Sequence, residues 1–279
     1  MPGTMTCAAV DTLALTPAVR TLMREVAERA ILPHYRTLAS DEVIAKAVDD
    51  VVTIADRESE AMLSEGLARL LPDAAIVGEE AAHENPAVLD RLSDSLCWII
   101  DPLDGTNNFA AGNPPFGMLV ALAQEGDTIA GWIYDPLSGR FCHAHREQGA
   151  YIGDERVSAR ASGQEPPVAA ISLLYMDPAQ REKVKAHIAP HYRMVDIPRC
   201  AAEQYPRLVL GENDLSIFER TLPWDHAAGV LFLNEAGGKA ARNDGSPYRV
   251  DDYARPGLIG AASPALWESL AAQLAALEA

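Results

Sequence analysis

The sequence predicts a layered α/β or α+β fold. Amphipathic helical stretches stand near both ends, a run of strand-length apolar segments fills the middle, and strand and helix patterns alternate through the second half. Taken in order, residues 17–31 place Val19, Leu22, Met23, Val26 and Ala30 on one helical face, with Thr16 as the cap before Pro17. Asp56 to Leu71 repeats the pattern with Met62, Leu63, Leu67 and Leu70, and Pro72 closes it. Between them AKAVDDVV reads as an irregular, mobile stretch. AAIVGEE and CWIIDPLDG are short apolar runs that end abruptly in carboxylates, as strands do when they deliver side chains to a sheet edge.

From Gly117 to Val157 the pattern is a meander. MLVALAQ, TIAGWIYDP and RFCHAHREQGAYI are strand-length segments separated by EGD, PLSG and GDE turns. Beyond Pro166, AAISLLYM reads as a strand, AQREKVKAHI as a helix, YRMVDI as a strand and AAEQYPRLVL as a helix. DLSIFER is then a strand, and DHAAGVLFLNEA a helix that Gly237 and Gly238 stop. LIGAAS and the Ala/Leu-rich tail from Pro264 make a last strand and helix. The segment 155–168 is the candidate seam between an N-terminal α+β half (1–160) carrying most acidic clusters and a C-terminal α/β half (161–279), packed closely enough to count as one domain.

Composition narrows the function. With 279 residues, 48% of them apolar, the chain can bury a large core. A formal net charge of −17 and a pI near 4.7 argue against nucleic-acid polymers and anionic membranes as partners, because both are held through Lys and Arg. No apolar run is long enough to span a bilayer and no secretory signal opens the chain, so a cytoplasmic protein is expected, with disorder confined to the extreme N-terminus. The four cysteines, Cys7, Cys97, Cys142 and Cys200, lack metal-ligand spacing and read as reduced thiols.

Four acidic clusters fall at predicted strand ends or helix starts: Asp56, Glu79-Glu80, Asp101 with Asp104, and Asp225. Each alone has an ordinary explanation as a turn, a strand end, a helix cap or a helix-start acid. DPLDGT is the most informative. Pro102 and Gly105 impose a sharp turn that brings Asp101 and Asp104 to one side and frees the Leu103 carbonyl. Converging carboxylates and a carbonyl make a hard-oxygen site suited to Mg²⁺ rather than zinc. The following GTNN can open a helical turn whose amides attract an anion, and metal ligands beside an anion nest imply a phosphate ester.

These segments resemble the signatures of the inositol monophosphatase family, the Mg²⁺-dependent and often lithium-sensitive phosphatases. WIIDPLDGTNNF is similar to its first signature, PWDHAAGVLFLNEAGG to its C-terminal one, IVGEE to its glutamate pair, and KAVDDVVTIAD to its mobile-loop segment. Order and spacing agree over residues 17–262. The resemblance implies an αβαβα sandwich, a homodimer and two or three Mg²⁺ ions. It assigns Glu79, Asp101 and the Leu103 carbonyl to a first ion, and Asp101, Asp104 and Asp225 to a second. Glu80 assists from behind, Thr106 with Asp56 orients and deprotonates the attacking water, and the amides of Gly105 and Thr106 hold phosphate oxygens. The implied activity is hydrolysis of a small soluble phosphomonoester such as inositol monophosphate, without a covalent intermediate. A non-catalytic metal-binding regulator is the competing reading, and the intact Asp56 and Thr106 argue against it.

The match loosens where substrate choice should reside. Family members that favour inositol monophosphates commonly carry a Gly-Ser pair in the loop around residues 198–205, which here reads Pro198-Arg199-Cys200-Ala201-Ala202, and a carboxylate several residues before the WD. Glu219 can fill that role, and Arg220 beside it can read a second anionic group. A bisphosphorylated sugar such as fructose 1,6-bisphosphate, a nucleotide 3′-phosphate or histidinol phosphate are therefore alternatives. Trp224 and the histidines His143, His145 and His226 are expected to pack rather than ligate, and Glu235 to be structural.

Overall fold

The computed structural model describes residues 10–38, 42–47 and 50–278. Cys7 and the N-terminal segment expected to be disordered lie outside the described residues, as do Val48 and Asp49 of the stretch expected to be irregular. The rest of that stretch contributes to a hairpin: β1 (Val43–Ala47) pairs antiparallel with β2 (Asp50–Thr53). Helix α1 (Thr12–Val26) starts before the expected position. Asp11 caps it by accepting from the Ala14 amide at 3.2 Å, and Pro17 falls inside the helix. Thr16 is buried instead, taking a bond from the Trp132 indole N–H at 3.1 Å.

Helix α2 (Ile54–Leu70) leads into β3 (Ala75–Gly78), the short helix α3 (Glu79–Glu84) and β4 (Cys97–Asp104). After α4 (Thr106–Ala110) come β5 (Gly117–Gln124), β6 (Asp127–Tyr134), β7 (Phe141–His145), β8 (Gly149–Ile152) and β9 (Glu155–Val157). The third segment of the expected meander is thus two strands, broken at Arg146–Gln148. The break lacked a signal because Glu147 takes the left-handed conformation (φ 64°) that glycine or asparagine usually marks. Strands β3 to β9 form one sheet in sequence order, antiparallel except for the β3–β4 pair.

The second half supplies β10 (Val168–Ile171), α5 (Pro178–His187), the two-residue β11 (Arg193–Met194), α6 (Ala201–Leu210), β12 (Leu215–Phe218), α7 (Pro223–Glu235), β13 (Lys239–Ala241), β14 (Leu258–Ala261) and α8 (Pro264–Glu278). Its sheet has the order β11-β10-β12-β14-β13, parallel at β11-β10-β12 and antiparallel beyond.

Alternation along the first sheet decides the layers, since successive side chains point to opposite faces. Trp98, Ile100, Val120, Leu122 and Trp132 pack with α1 and α2, whereas Cys97, Ile99, Leu119, Ala121 and Ile133 pack with α6 and α7. The second sheet covers the far side of α6 and α7, and α5 and α8 close its outer face with Val184, Trp267 and Leu270. The molecule is therefore an αβαβα sandwich. Helix α7 is apolar nearly all round because it lies between two sheets, and Gly229 lets it approach α6: a Cβ there would sit 1.9 Å from the Tyr205 ring.

Candidate active site

A cleft runs along the edge where both sheets end. It is built from the ends of β3, β4, β10 and β12 and from the first turns of α4, α6 and α7. The key local feature is in β4. Asp101 pairs with Leu119 and Asp104 with Gly117, so three steps on β4 match two on β5 and one extra residue is inserted. In an unbroken strand, side chains three apart face opposite ways. The bulge at Pro102-Leu103 returns Asp104 to the side of Asp101. The reversal expected between these aspartates is thus a bulge within a continuing strand, and the true turn comes one residue later. Gly105 makes it at φ +82°, with Pro115 and Cys200 so close that a Cβ would clash at 2.9 Å with the Pro115 carbonyl.

Asp225 arrives from the other half, in the first turn of α7 behind Pro223. Asp101, Asp104 and Asp225 each offer an oxygen such that all three lie within 4.8 Å of one another. Glu79, the first residue of α3, lines the same cleft, as does Leu103. Burial first, then the charges of Glu79, Asp104 and Asp225, hold Asp101 well above the ordinary carboxylate range. Burial and Asp225 push Asp104 up to about 7, despite a 2.6 Å bond accepted from the Ala202 amide at the start of α6. Crowded, desolvated carboxylates of this kind call for a cation. The donor set is all oxygen, which suits a hard divalent ion such as Mg²⁺.

Thr106 stands beside this cluster. Its hydroxyl lies 3.0 Å from Asp56 Oδ1 and 2.8 Å from the Leu103 carbonyl oxygen, so it can donate to either. A hydroxyl has one proton to give, so when Thr106 donates it to Asp56 the Leu103 carbonyl oxygen is left to accept elsewhere. The other Asp56 oxygen accepts from the Thr53 amide at 2.7 Å and the Thr53 hydroxyl at 2.6 Å. This is a capping arrangement at the start of α2 that also fixes Asp56. Burial outweighs these bonds and pushes Asp56 up to about 7. Glu80 is buried behind Glu79 and does not line the cleft.

At the mouth, Arg220 lies 3.7 Å from Asp225 Oδ2 with its guanidinium 4.3 Å above the Tyr175 ring. Arg199, Ala201 and Glu219 line the same opening. The Glu219 carboxylate accepts from the Gln180 side chain on α5, and burial raises its pKa. Several contributors were read from the sequence only as packing residues or not at all. His226 takes a bond from Tyr205 Oη at 2.8 Å and donates from Nε2 to the Arg220 carbonyl at 3.0 Å, fixing the segment before α7; burial drops its pKa to about 3. Arg242, fully buried, donates to the Thr221 hydroxyl and to the Asp252 and Arg255 carbonyls. Asn108 bridges the Pro115 and Pro198 carbonyls at 2.8 and 3.0 Å. Elsewhere, Trp224 is core, Glu235 accepts from the Glu147 and Gly149 amides, and His143 and His145 form a buried chain with Thr12 and Thr16. Cys97, Cys142 and Cys200 are buried free thiols.

An αβαβα sandwich that gathers carboxylates from a strand of the first sheet and from the starts of α3 and α7, beside a hydroxyl–carboxylate pair, is the framework of a hydrolase of phosphoric monoesters. The chain belongs to the inositol monophosphatase family, whose model matches residues 11–279. It is 31% identical over 189 residues to the fructose-1,6-bisphosphatase/inositol-1-monophosphatase of Thermotoga maritima, covering 68% of this chain and 70% of that one. It is 32% identical over 232 residues to a histidinol-phosphatase of Chlorobaculum parvum, covering 80% and 85% respectively. The crystal structure of the extragenic suppressor protein suhB from Bartonella henselae superposes with a TM-score of 0.78 at 25% identity, covering 94% of this chain and 98% of that one.

Proposed function

We propose that this phosphatase is Mg²⁺-dependent and hydrolyses a small organic phosphate by in-line attack of water, without a covalent intermediate. The observation that carries the reading is the convergence of Asp101 and Asp104 on β4 with Asp225 in the first turn of α7. These three, with Glu79 and the Leu103 carbonyl, would hold two or three cations, and Glu80 would support Glu79 from behind. Bound there, Mg²⁺ would offset the charge of the phosphate and make a water acidic enough to attack. Thr106, donating to Asp56, keeps a lone pair for the proton of the incoming water, and Asp56, poised near neutrality, draws that proton away. The amides of Gly105 and Thr106 steady the phosphate oxygens. A scaffold would have no use for the Thr106–Asp56 pair.

Substrate choice follows from the mouth. Arg220 lines the opening of the cleft, and its guanidinium lies over the Tyr175 ring, 4.3 Å from its centroid. That geometry suits a second anionic group, so a bisphosphate is favoured over the amine of histidinol phosphate, which a guanidinium repels. Glu219, turned to Gln180, and Ala201 shape the rest of the opening. The acidic surface makes polynucleotides poor substrates.

Initial rates with p-nitrophenyl phosphate, with Mg²⁺ and with EDTA, test the reaction; turnover that survives EDTA contradicts it. A panel of inositol 1-phosphate, fructose 1,6-bisphosphate, a nucleotide 3′-phosphate and histidinol phosphate tests the mouth. Arg220→Ala is expected to lower kcat/KM for the bisphosphate about 10- to 100-fold more than for inositol 1-phosphate. An unchanged ranking removes the role of Arg220.

A further inference from the structure

Glu60 lies on α2 one turn beyond Asp56 and is only 8% exposed. Both of its carboxylate oxygens are engaged by the start of α3: Oε2 accepts from the Glu80 amide and Oε1 from the Ala81 amide, each at 2.8 Å. The chain closes directly over this carboxylate. A Cβ at Gly78, the residue before α3, would come within 2.3 Å of the Glu60 carboxyl carbon. Glu60 therefore occupies a socket made by the backbone of residues 78–81.

We infer that Glu60 is a positioning residue for the cation site: it fixes the first turn of α3 so that Glu79 projects into the cleft. The inference rests on the reading of that cleft as a Mg²⁺ site. Helix α3 has six residues, too few to hold its own geometry. Its leading amides have no partner within the helix, and a carboxylate accepting two of them makes strong, charge-assisted bonds that favour a single backbone position. Glu79 is the first residue of this turn, so a shift of the amides moves the ligand arm directly. Because α2 also carries Asp56, one helix packed on α1 and on the sheet sets both Glu79 and the partner of Thr106. Glutamine cannot replace Glu60, because its amide has one acceptor oxygen and would turn an NH₂ group toward the other backbone N–H.

Calorimetric titration of Mg²⁺ into the metal-stripped wild type and Glu60→Gln tests this, with circular dichroism checking the fold. The Mg²⁺ Kd is expected to rise about 10- to 100-fold in the variant. Turnover of p-nitrophenyl phosphate should fall at low Mg²⁺ and recover at high Mg²⁺, with KM for the ester unchanged. Gly78→Ala, which crowds the socket from the opposite side, should weaken Mg²⁺ in the same way. Should the glutamine variant fail to fold, Glu60→Asp, which keeps both acceptors on a shorter arm, carries the test. Unchanged Mg²⁺ affinity in a folded variant overturns the inference and leaves Glu60 a structural cap. A wild type that binds no Mg²⁺ overturns the cation site itself, a different outcome.

Discussion

Asp101 is 1% exposed and faces the charges of Glu79, Asp104, Asp225 and Asp56, so without a cation its carboxylate is a burden on the fold. Asp101→Asn is expected to lower kcat by about 10³-fold or more, roughly 4 kcal/mol of transition-state stabilisation. The same substitution should raise the metal-free Tm by about 2–4 °C, the shift that about 1 kcal/mol makes in a chain of this size. Paired kinetic and thermal measurements check both, and a metal-free Tm that falls contradicts the electrostatic account. The pH dependence follows from the same groups. Asp56 and Asp104 are pushed up to about 7, above their values in the unfolded chain, so the folded state binds more protons between about pH 4 and 7. Their favourable contribution is present in full below pH 4 and is lost as pH rises through 7. A cation held by Asp104 would take the place of its proton, so the rise in Tm on adding Mg²⁺ should be larger at pH 8 than at pH 5.5. An equal rise at both would contradict this. Each of these acids was legible in the sequence because it sits beside its own local signature. Glu60 and Asn108 were not, and His226 was legible only as a packing residue, because their roles are set by groups of other elements.

At the scale of elements, the site depends on a bulge and on helix starts. CWIIDPLD reads as a strand with a turn in it, and nothing in its pattern distinguishes a reversal from one inserted residue; only pairing with β5 decides. The α6 boundaries, by contrast, were legible: the stretch AAEQYPRLVL read as a helix spans Ala201–Leu210, and Cys200 before it is extended (φ −159°). The amides at the start of α6 steady Asp104, the Ala202 bond being 2.6 Å and Ala201 contributing a second donor. Ala201→Pro tests their importance. Proline is well accommodated at the first helical position after an extended residue, so the fold should persist while one donor is lost. Mg²⁺ affinity is expected to fall about 10-fold by calorimetry. Unchanged affinity would assign the steadying of Asp104 to Ala202 alone. The β7–β8 turn is likewise held from a distance: besides the positive φ of Glu147 and Gly149, Glu235 of α7 anchors both amides from 86 to 88 residues away.

Across the whole molecule, a layered α/β or α+β protein was legible from the order of strand and helix patterns and the αβαβα sandwich came with the family resemblance, but the interleaving of the halves was not legible. The first sheet ends at Val157 and the second begins at Val168, within the seam read from the sequence. Yet α6 and α7, both C-terminal, cover the inner face of the first sheet at Leu119, Ala121 and Ile133. We therefore expect the two halves to fold as one unit. A fragment of residues 1–160 should lack the cooperative thermal transition of the full chain, and a sharp transition would show an independent domain. The cleft is shared in the same way, with Asp101 and Asp104 from one half and Asp225 from the other. Its most direct test is crystallography of the protein soaked in Mn²⁺, with anomalous scattering locating the ions. The account predicts anomalous peaks within about 2.5 Å of carboxylate oxygens of Asp101, Asp104 and Asp225. A map with no peak at these aspartates would contradict it.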